Sequence, residues 1–143
     1  MKLIVSANDG SEGAERAVGF AADLAKAFNA KLLIVHVSME KFSQRELVVL
    51  QRLGVTEGDA LEEISSRILL KAKAVAKDHG AEKIETMSAA GDPAEMLIEI
   101  CRNRHADAIV VGRRGLGKLE GLLLGSISQK LSYLSPCAVI ITP

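Results

Sequence analysis

Tryptophan is absent, and the aromatic complement is one tyrosine and three phenylalanines: Phe20, Phe28, Phe42 and Tyr133. Base-stacking platforms and aromatic cages need more than that. Neither sign of charge predominates, with 18 Lys+Arg against 18 Asp+Glu. A balanced chain argues against a strongly basic nucleic-acid surface and against an acidic tail, although Arg113, Arg114 and Lys118 form a local basic cluster. The two cysteines, Cys101 and Cys137, belong to no CxxC and have no neighbouring histidine pattern. They are expected to be buried free thiols rather than a metal or redox site. Long hydrophobic runs are missing too: none approaches the roughly 20 residues that span a bilayer. The first residues enter an apolar strand without the h-region or cleavage site of a secretory leader, so the expectation is a cytoplasmic protein with no membrane contact. Internal repeats and low-complexity tracts are also absent.

At 143 residues the chain fits one domain, residues 1–143, large enough to bury a core without staples. Lys2 to Ala7 is a short apolar run followed by the turn-like Asn8-Asp9-Gly10-Ser11. A helical stripe follows at Ala14, Ala17, Val18, Ala21, Leu24, Ala25 and Phe28, with Ser11 as N-cap and Asn29 as stop. Leu32 to Val37 (LLIVHV) is too short and too β-branched for a free helix. It reads as a strand buried on both faces, as in parallel sheets. Between Ser38 and Gly58 the apolar residues suggest a short helix or lid. Leu61, Ile64, Ile68, Ala72 and Val75 mark one face of a long helix closed by His79-Gly80. Lys83 to Ser88 is more polar and is expected at a sheet edge. Asp92-Pro93 announces a helix, as N-cap and first helical residue, which carries Leu97, Ile98 and Cys101 inward and ends near Asn103. Ala108 to Val111 is a fourth strand. A helix over roughly 126–134 is broken by Ser135-Pro136, and Cys137 to Thr142 is the last strand. Apolar strands alternating with amphipathic helices predict an α/β fold, a doubly wound five-stranded parallel sheet with helices on both faces. In the order 3-2-1-4-5, direction reverses between strands one and four. Ligands bind outside the carboxyl ends of the strands at such a switch, so the Asp9 turn and the loop after Gly112 should face one crevice.

The sharpest signal is Gly112-Arg113-Arg114-Gly115, nine residues, then Gly125-Ser126. The pattern G-x2-G-x9-G-[ST] follows a strand and ends at a helix start. At average residue usage it arises by chance in roughly one chain in two hundred of this length. Its physical use is anion binding: glycines let backbone approach phosphate oxygens closely and adopt positive φ. The amides of a helix start lack intrahelical partners, and the dipole there favours negative charge. The hydroxyls of Ser126 and Ser128 can add donors, and Arg113 and Arg114 can neutralise phosphate charge. A plainer reading is a connecting turn with Ser126 as a cap. Asp9 likewise has a bland reading as a turn aspartate, and the three histidines do: His36 as a hydrogen-bonded structural residue, His79 at a helix end, His105 in a surface turn.

These elements, in this order, resemble the universal stress protein family over essentially the whole chain. The resemblance rests on Asp9-Gly10-Ser11 after the first strand, LLIVHV, Gly91-Asp92-Pro93-Ala94, the run ADAIVVG and the spaced glycine loop. It implies an adenine nucleotide alpha hydrolase-like fold and, from the loop, the ATP-binding kind. Carried over, it places Asp9 near the ribose or adenine and Val37 against adenine through its backbone. Ala7 would line the base of the crevice. Gly112, Gly115, Gly125, Ser126 and Ser128 would hold the ribose-phosphate chain, with Ile127 counted in the same site. It also implies a homodimer paired through the last strand: Ala138, Val139, Ile140, Ile141 and Thr142.

Rival chemistries fail on particular residues. Gly112 to Lys118 satisfies GxxxxGK, but Leu119 stands where a P-loop needs Ser or Thr for magnesium. A dinucleotide fold needs GxGxxG after the first strand, and Asp9-Gly10-Ser11-Glu12-Gly13 lacks it. The adenylating pyrophosphatases want Ser-Gly-Gly-x-Asp-Ser in that place. Three functions stay open: an ATP-dependent sensor or switch in a stress response, a slow ATPase with Mg2+ carried by the phosphates, and a nucleotide-free dimeric interaction module with an unknown protein partner. Efficient hydrolysis needs a base near the attacking water. Asp9 is the one acidic candidate near the crevice, so at most a weak hydrolase is expected, and binding comes first.

Overall fold

The computed structural model describes residues 1–39, 42–115 and 124–143. The elements in order are β1 (Leu3–Ala7), α1 (Glu12–Phe28), β2 (Lys31–Ser38), α2 (Gln44–Arg52), α3 (Glu57–Asp78), β3 (Ile84–Ala90), α4 (Pro93–Asn103), β4 (Ala108–Gly112), α5 (Ser126–Leu134) and β5 (Ala138–Thr142). The strands form one parallel sheet in the order β3-β2-β1-β4-β5. This is the doubly wound sheet expected from the alternation of elements, and its central strand, β1, is the first of the chain.

Alternation along the strands sends successive side chains to two cores. Ile4, Leu32, Ile34 and Val110 face α1 and α3, packing against Ala17, Val18, Ala21, Ala22 and Ala25 of α1 and Leu69, Ala72 and Ala76 of α3. The run of alanines lets α1 lie close to the sheet. On the other face Leu3, Val5, Leu33, Val35, Ile109 and Val111 meet Leu97, Ile100 and Cys101 of α4 and Leu131 of α5. Each fully buried branched side chain in these layers stabilises the fold by about 1.5–3 kcal/mol.

Local chemistry starts and stops the helices where the sequence places them. Ser11 accepts from the Ala14 amide and Asn29 ends α1 in the left-handed region. Asp92 accepts from the Glu95 amide ahead of Pro93. Three expectations need correction. Phe28 continues the apolar stripe in sequence, yet it is half exposed at the last residue of α1, where the helix ends at Asn29. Cys101 is buried as expected, whereas Cys137 is only partly so, because it precedes an edge strand. β3 is an edge strand, but runs two residues further than expected, to Ala90. The segment after β2 does contain a short helix, α2, opened by a capping box between Ser43 and Glu46. None of its residues is buried. No described helix is long and apolar enough to cross a membrane.

Candidate functional site

The reversal of strand order falls between β1 and β4, and a pocket opens at the carboxyl ends of these strands. Its volume of about 270 Å³ sits near the lower bound of small-molecule sites, ~300 Å³. That is room for part of a small molecule such as a nucleoside.

One wall is the turn after β1. The Asn8 amide donates to the Val35 carbonyl at 2.8 Å, and the Asn8 side chain accepts from the Gly10 amide at 2.8 Å. Asp9 Oδ1 accepts from the Ser11 amide at 2.9 Å. Gly10, at φ 89°, turns the chain into α1, a conformation that costs glycine little. Asp9 is thereby held half-buried at the pocket edge, beside Gly115. Asp9 thus shapes the turn and also lines the pocket.

The floor is apolar. Ala7, Val35, Val37 and Val111 come from three adjacent strands, while Pro93 and Leu97, one turn apart on α4, close the side with Ile127. Sequence reasoning named Ala7, Val37 and Ile127 but missed Val35, Val111, Pro93 and Leu97. Strand alternation pairs Val35 with Val37 on one face, and the i,i+4 spacing pairs Pro93 with Leu97. Both signals were available once the strand order was assumed. Asn8, Ser11 and Ala14 also line the pocket and were missed.

The opposite wall is the glycine loop and the start of α5. Gly112, Arg114, Gly115, Gly125, Ser126, Ile127 and Ser128 all line the pocket; Arg113 does not. Arg113 acts through its main chain instead. Its amide donates to the Thr142 carbonyl at 2.7 Å, and its carbonyl accepts from the Gly125 amide at 2.7 Å and the Ser128 hydroxyl at 2.9 Å. These bonds bring Gly125, ten residues after Gly115, back against the loop's beginning. Ser128, expected to offer its hydroxyl as a donor in the crevice, is 2% exposed and directs that hydroxyl to the Arg113 and Gly125 carbonyls at 2.9 and 3.1 Å. The Ser126 hydroxyl is exposed, with no hydrogen bond among the described residues.

The glycines serve close approach rather than positive φ, a correction to the loop. The left-handed glycines among the described residues are Gly10, Gly54, Gly80 and Gly91, and Gly125 has φ −71°. A Cβ on Gly112 would lie 3.1 Å from the Gly13 backbone of α1. On Gly125 it would lie 3.3 Å from Arg114 Cα, and on Gly115 it would collide with the Asp9 carboxylate. The spacing of the motif thus records three places where main chain must pass within contact of its neighbours.

α5 differs from the other helices at its start. Side chains of Ser11, Ser43, Thr56 and Asp92 cap α1 to α4, while Gly125 gives α5 no side-chain cap. Its first amides, which like those of any helix lack intrahelical partners, therefore receive no capping side chain, and Ser126, Ile127 and Ser128 line the pocket at the positive end of the helix dipole. Arg114 adds a cation on the same side. Lys118 and Leu119, named in the basic cluster and in the failed P-loop match, lie outside the described residues.

The histidines stand apart from this site. His36 is 7% exposed, with Nδ1 2.7 Å from Ser65 Oγ, itself 3.1 Å from Ser38 Oγ, a structural polar bridge from β2 to α3. His79 caps α3 and pairs with Asp23, and His105 occupies an exposed left-handed turn.

The universal stress protein family model matches residues 1–143. The universal stress protein YxiE of Bacillus subtilis is 36% identical over 150 residues, covering 98% of this chain and 97% of its own. Among solved structures, a universal stress protein in complex with cAMP is 32% identical, with a TM-score of 0.74, and covers 99% of this chain and 97% of its own. The universal stress protein of Archaeoglobus fulgidus in complex with dAMP shares the fold at 20% identity and a TM-score of 0.70, covering 99% and 96%.

Proposed function

Because the chain belongs to the universal stress protein family, we propose that its pocket binds an adenine nucleotide, ATP foremost, and that occupancy acts as a sensor or switch. The observation that carries this reading is the uncapped start of α5, set across the pocket from an apolar floor. The two halves suit the two ends of a nucleotide. Free amides at a helix start take phosphate oxygens, and Ala7, Val35, Val37 and Leu97 offer apolar surface to a base. The relative with cAMP bound supports an adenine nucleotide as the ligand class.

In this reading Asp9 meets the sugar end, and the backbone at Val37 meets the base. The amides of Ser126 and Ile127 and the Ser126 hydroxyl take phosphate. Gly112, Gly115 and Ser128 shape the loop, while Arg114 neutralises charge and Arg113 anchors the turn to β5. Mg2+ enters on the phosphates, since among the described residues no group of three or more His, Cys, Asp or Glu could hold a metal ion. The protein acts as one cytoplasmic domain, paired as a homodimer through β5.

The test is mass analysis of nucleotide released from freshly purified, denatured protein, followed by calorimetric titration of the stripped protein with ATP, AMP and cAMP. Recovered adenine nucleotide with micromolar binding is expected. Folded protein that yields no nucleotide and no heat with any of the three overturns the proposal. Tight binding of cAMP or AMP with none of ATP keeps the ligand class and removes ATP from it.

A further inference from the structure

At the end of the sheet remote from the pocket, the two cysteines of the chain come together. Cys101 lies in the last turn of α4, and its carbonyl accepts from the Ala106 amide at 2.9 Å as the chain turns toward β4. Parallel pairing then sets Ala108 opposite Ala138. Cys137, one residue earlier, stands level with Asp107 at the strand's entrance. Alternation directs Cys137 to the same side as Val139 and Ile141, and all three pack on the apolar cluster that contains Cys101. Residues far apart in sequence thus turn their thiols to one apolar cluster at the same end of the sheet.

The two thiols differ in access. Cys101 is 1% exposed, while Cys137 is partly open. Ser135 Oγ is 3.5 Å from Cys137 Sγ and accepts from the Cys137 amide at 3.2 Å, which fixes the turn carrying the sulfur. Burial, then the neighbouring Cys137 sulfur, pushes the Cys101 thiol up to about 12; the partly open Cys137 is the thiol that a reagent reaches first.

We propose that Cys101 and Cys137 form a dithiol modification site that closes to an intramolecular disulfide on exchange with a low-molecular-weight disulfide. The Cys137 thiolate attacks one sulfur of the small disulfide, forming a protein mixed disulfide and expelling one small thiolate, which takes up a proton. Cys101, giving up its proton to solvent, then attacks Cys137 Sγ; the Cys101–Cys137 bond forms and the second small thiolate leaves. Two protein thiols are oxidised and one small disulfide is reduced to two thiols. Cys137 is the entry residue and Cys101 the resolving one, and the second step is the slower because the buried thiol gives up its proton reluctantly. The closed loop holds β4, the glycine loop and α5.

The full chain is incubated with oxidised glutathione at pH 8 for hours, quenched with acid and analysed by intact mass and peptide mapping. Expected is a monomer that gains a glutathione adduct transiently, ends with both thiols lost, and yields one cross-linked peptide pair spanning Cys101 and Cys137. The oxidised form should melt about 5–10 °C higher, because a disulfide across such a loop restrains the unfolded chain. Cys137→Ser should lose no thiol under the same conditions, and Cys101→Ala should stop at the adduct. A wild-type protein that stops at the adduct, or that forms only an intermolecular Cys137 disulfide, overturns the proposal. So does a Cys137→Ser protein whose Cys101 reacts as fast as in the wild type.

Discussion

Ser126 and Ser128 sit two positions apart at the head of one helix, yet their hydroxyls have opposite employment. Ser128 is buried and bonded to two carbonyls, whereas Ser126 is exposed and unbonded among the described residues. Ser128→Ala should cost about 1–2 kcal/mol in a urea titration, as the carbonyls lose a buried donor. Ser126→Ala should leave the midpoint unchanged and weaken nucleotide affinity about tenfold by calorimetry, the worth of one hydrogen bond to a charged group. Equal effects of the two substitutions on affinity would mean that Ser126 does not meet the ligand. The glycines divide in the same way. Gly112→Ala forces a methyl against the backbone of α1 and should destabilise the fold by about 1–3 kcal/mol. Gly115→Val strikes a side chain, the Asp9 carboxylate at the pocket edge, rather than helix backbone, so its expected signature is lost nucleotide binding in a protein that still folds. The motif's position and spacing were legible in sequence. Which residue contacts ligand and which only main chain was not, because Arg113, Gly125 and Ser128 acquire their roles from hydrogen bonds that close across the loop.

Among the elements, the two sheet edges are built differently. β3 carries Glu85, held by both guanidinium nitrogens of Arg104 at 3.2 and 2.7 Å and by Lys31 at 2.6 Å. These cations, Arg104 first, hold the Glu85 carboxyl at about 2. A carboxyl depressed in the folded state stabilises it above the ordinary value of 4.5, and that stability is lost as pH falls from there toward 2. With Glu85 one-third exposed, solvent screening reduces the contribution to about 1 kcal/mol. Glu85→Gln should therefore lower stability by that amount at pH 7. Urea titrations should show roughly half or less of the difference left at pH 3. A difference independent of pH would mean that packing, not charge, supplies it. The polar letters of β3 announced an edge, and the caps of α1 and α4 were legible because Ser11, Asp92 and Pro93 act within a few residues. Phe28 was not, since its exposure depends on what packs against the end of α1.

At the scale of the whole molecule, no described residue pairs with the outer side of β5. Its sequence, AVIIT, has no charged residue and pairs with β4 on one side only. Unpaired edges without charge favour association. Tyr133 and Leu134, both exposed, lie just before it, and Arg16 of α1, one turn from exposed Phe20, bonds the Pro143 carbonyl at its end. Sedimentation at tens of micromolar is expected to show a dimer, and Ala138→Lys, at an exposed position, should shift it toward monomer. A monomeric wild type would remove the pairing. The sheet order was legible because right-handed crossovers leave few alternatives, and it brought Asp9 and Gly112 together before any coordinate did.

The bare start of α5 has a practical corollary for anyone who weighs ligands against this protein. On the proposed reading those amides take phosphate oxygens whatever the phosphate is attached to, so buffer anions are expected to compete for them. In phosphate or sulfate buffer a titration should then measure displacement, with affinity understated and heat offset by the departing ion. In an organic zwitterionic buffer with chloride alone, the same nucleotide should bind more tightly. The gap between the two media reports how much of the affinity resides in the phosphate end and how much in the base.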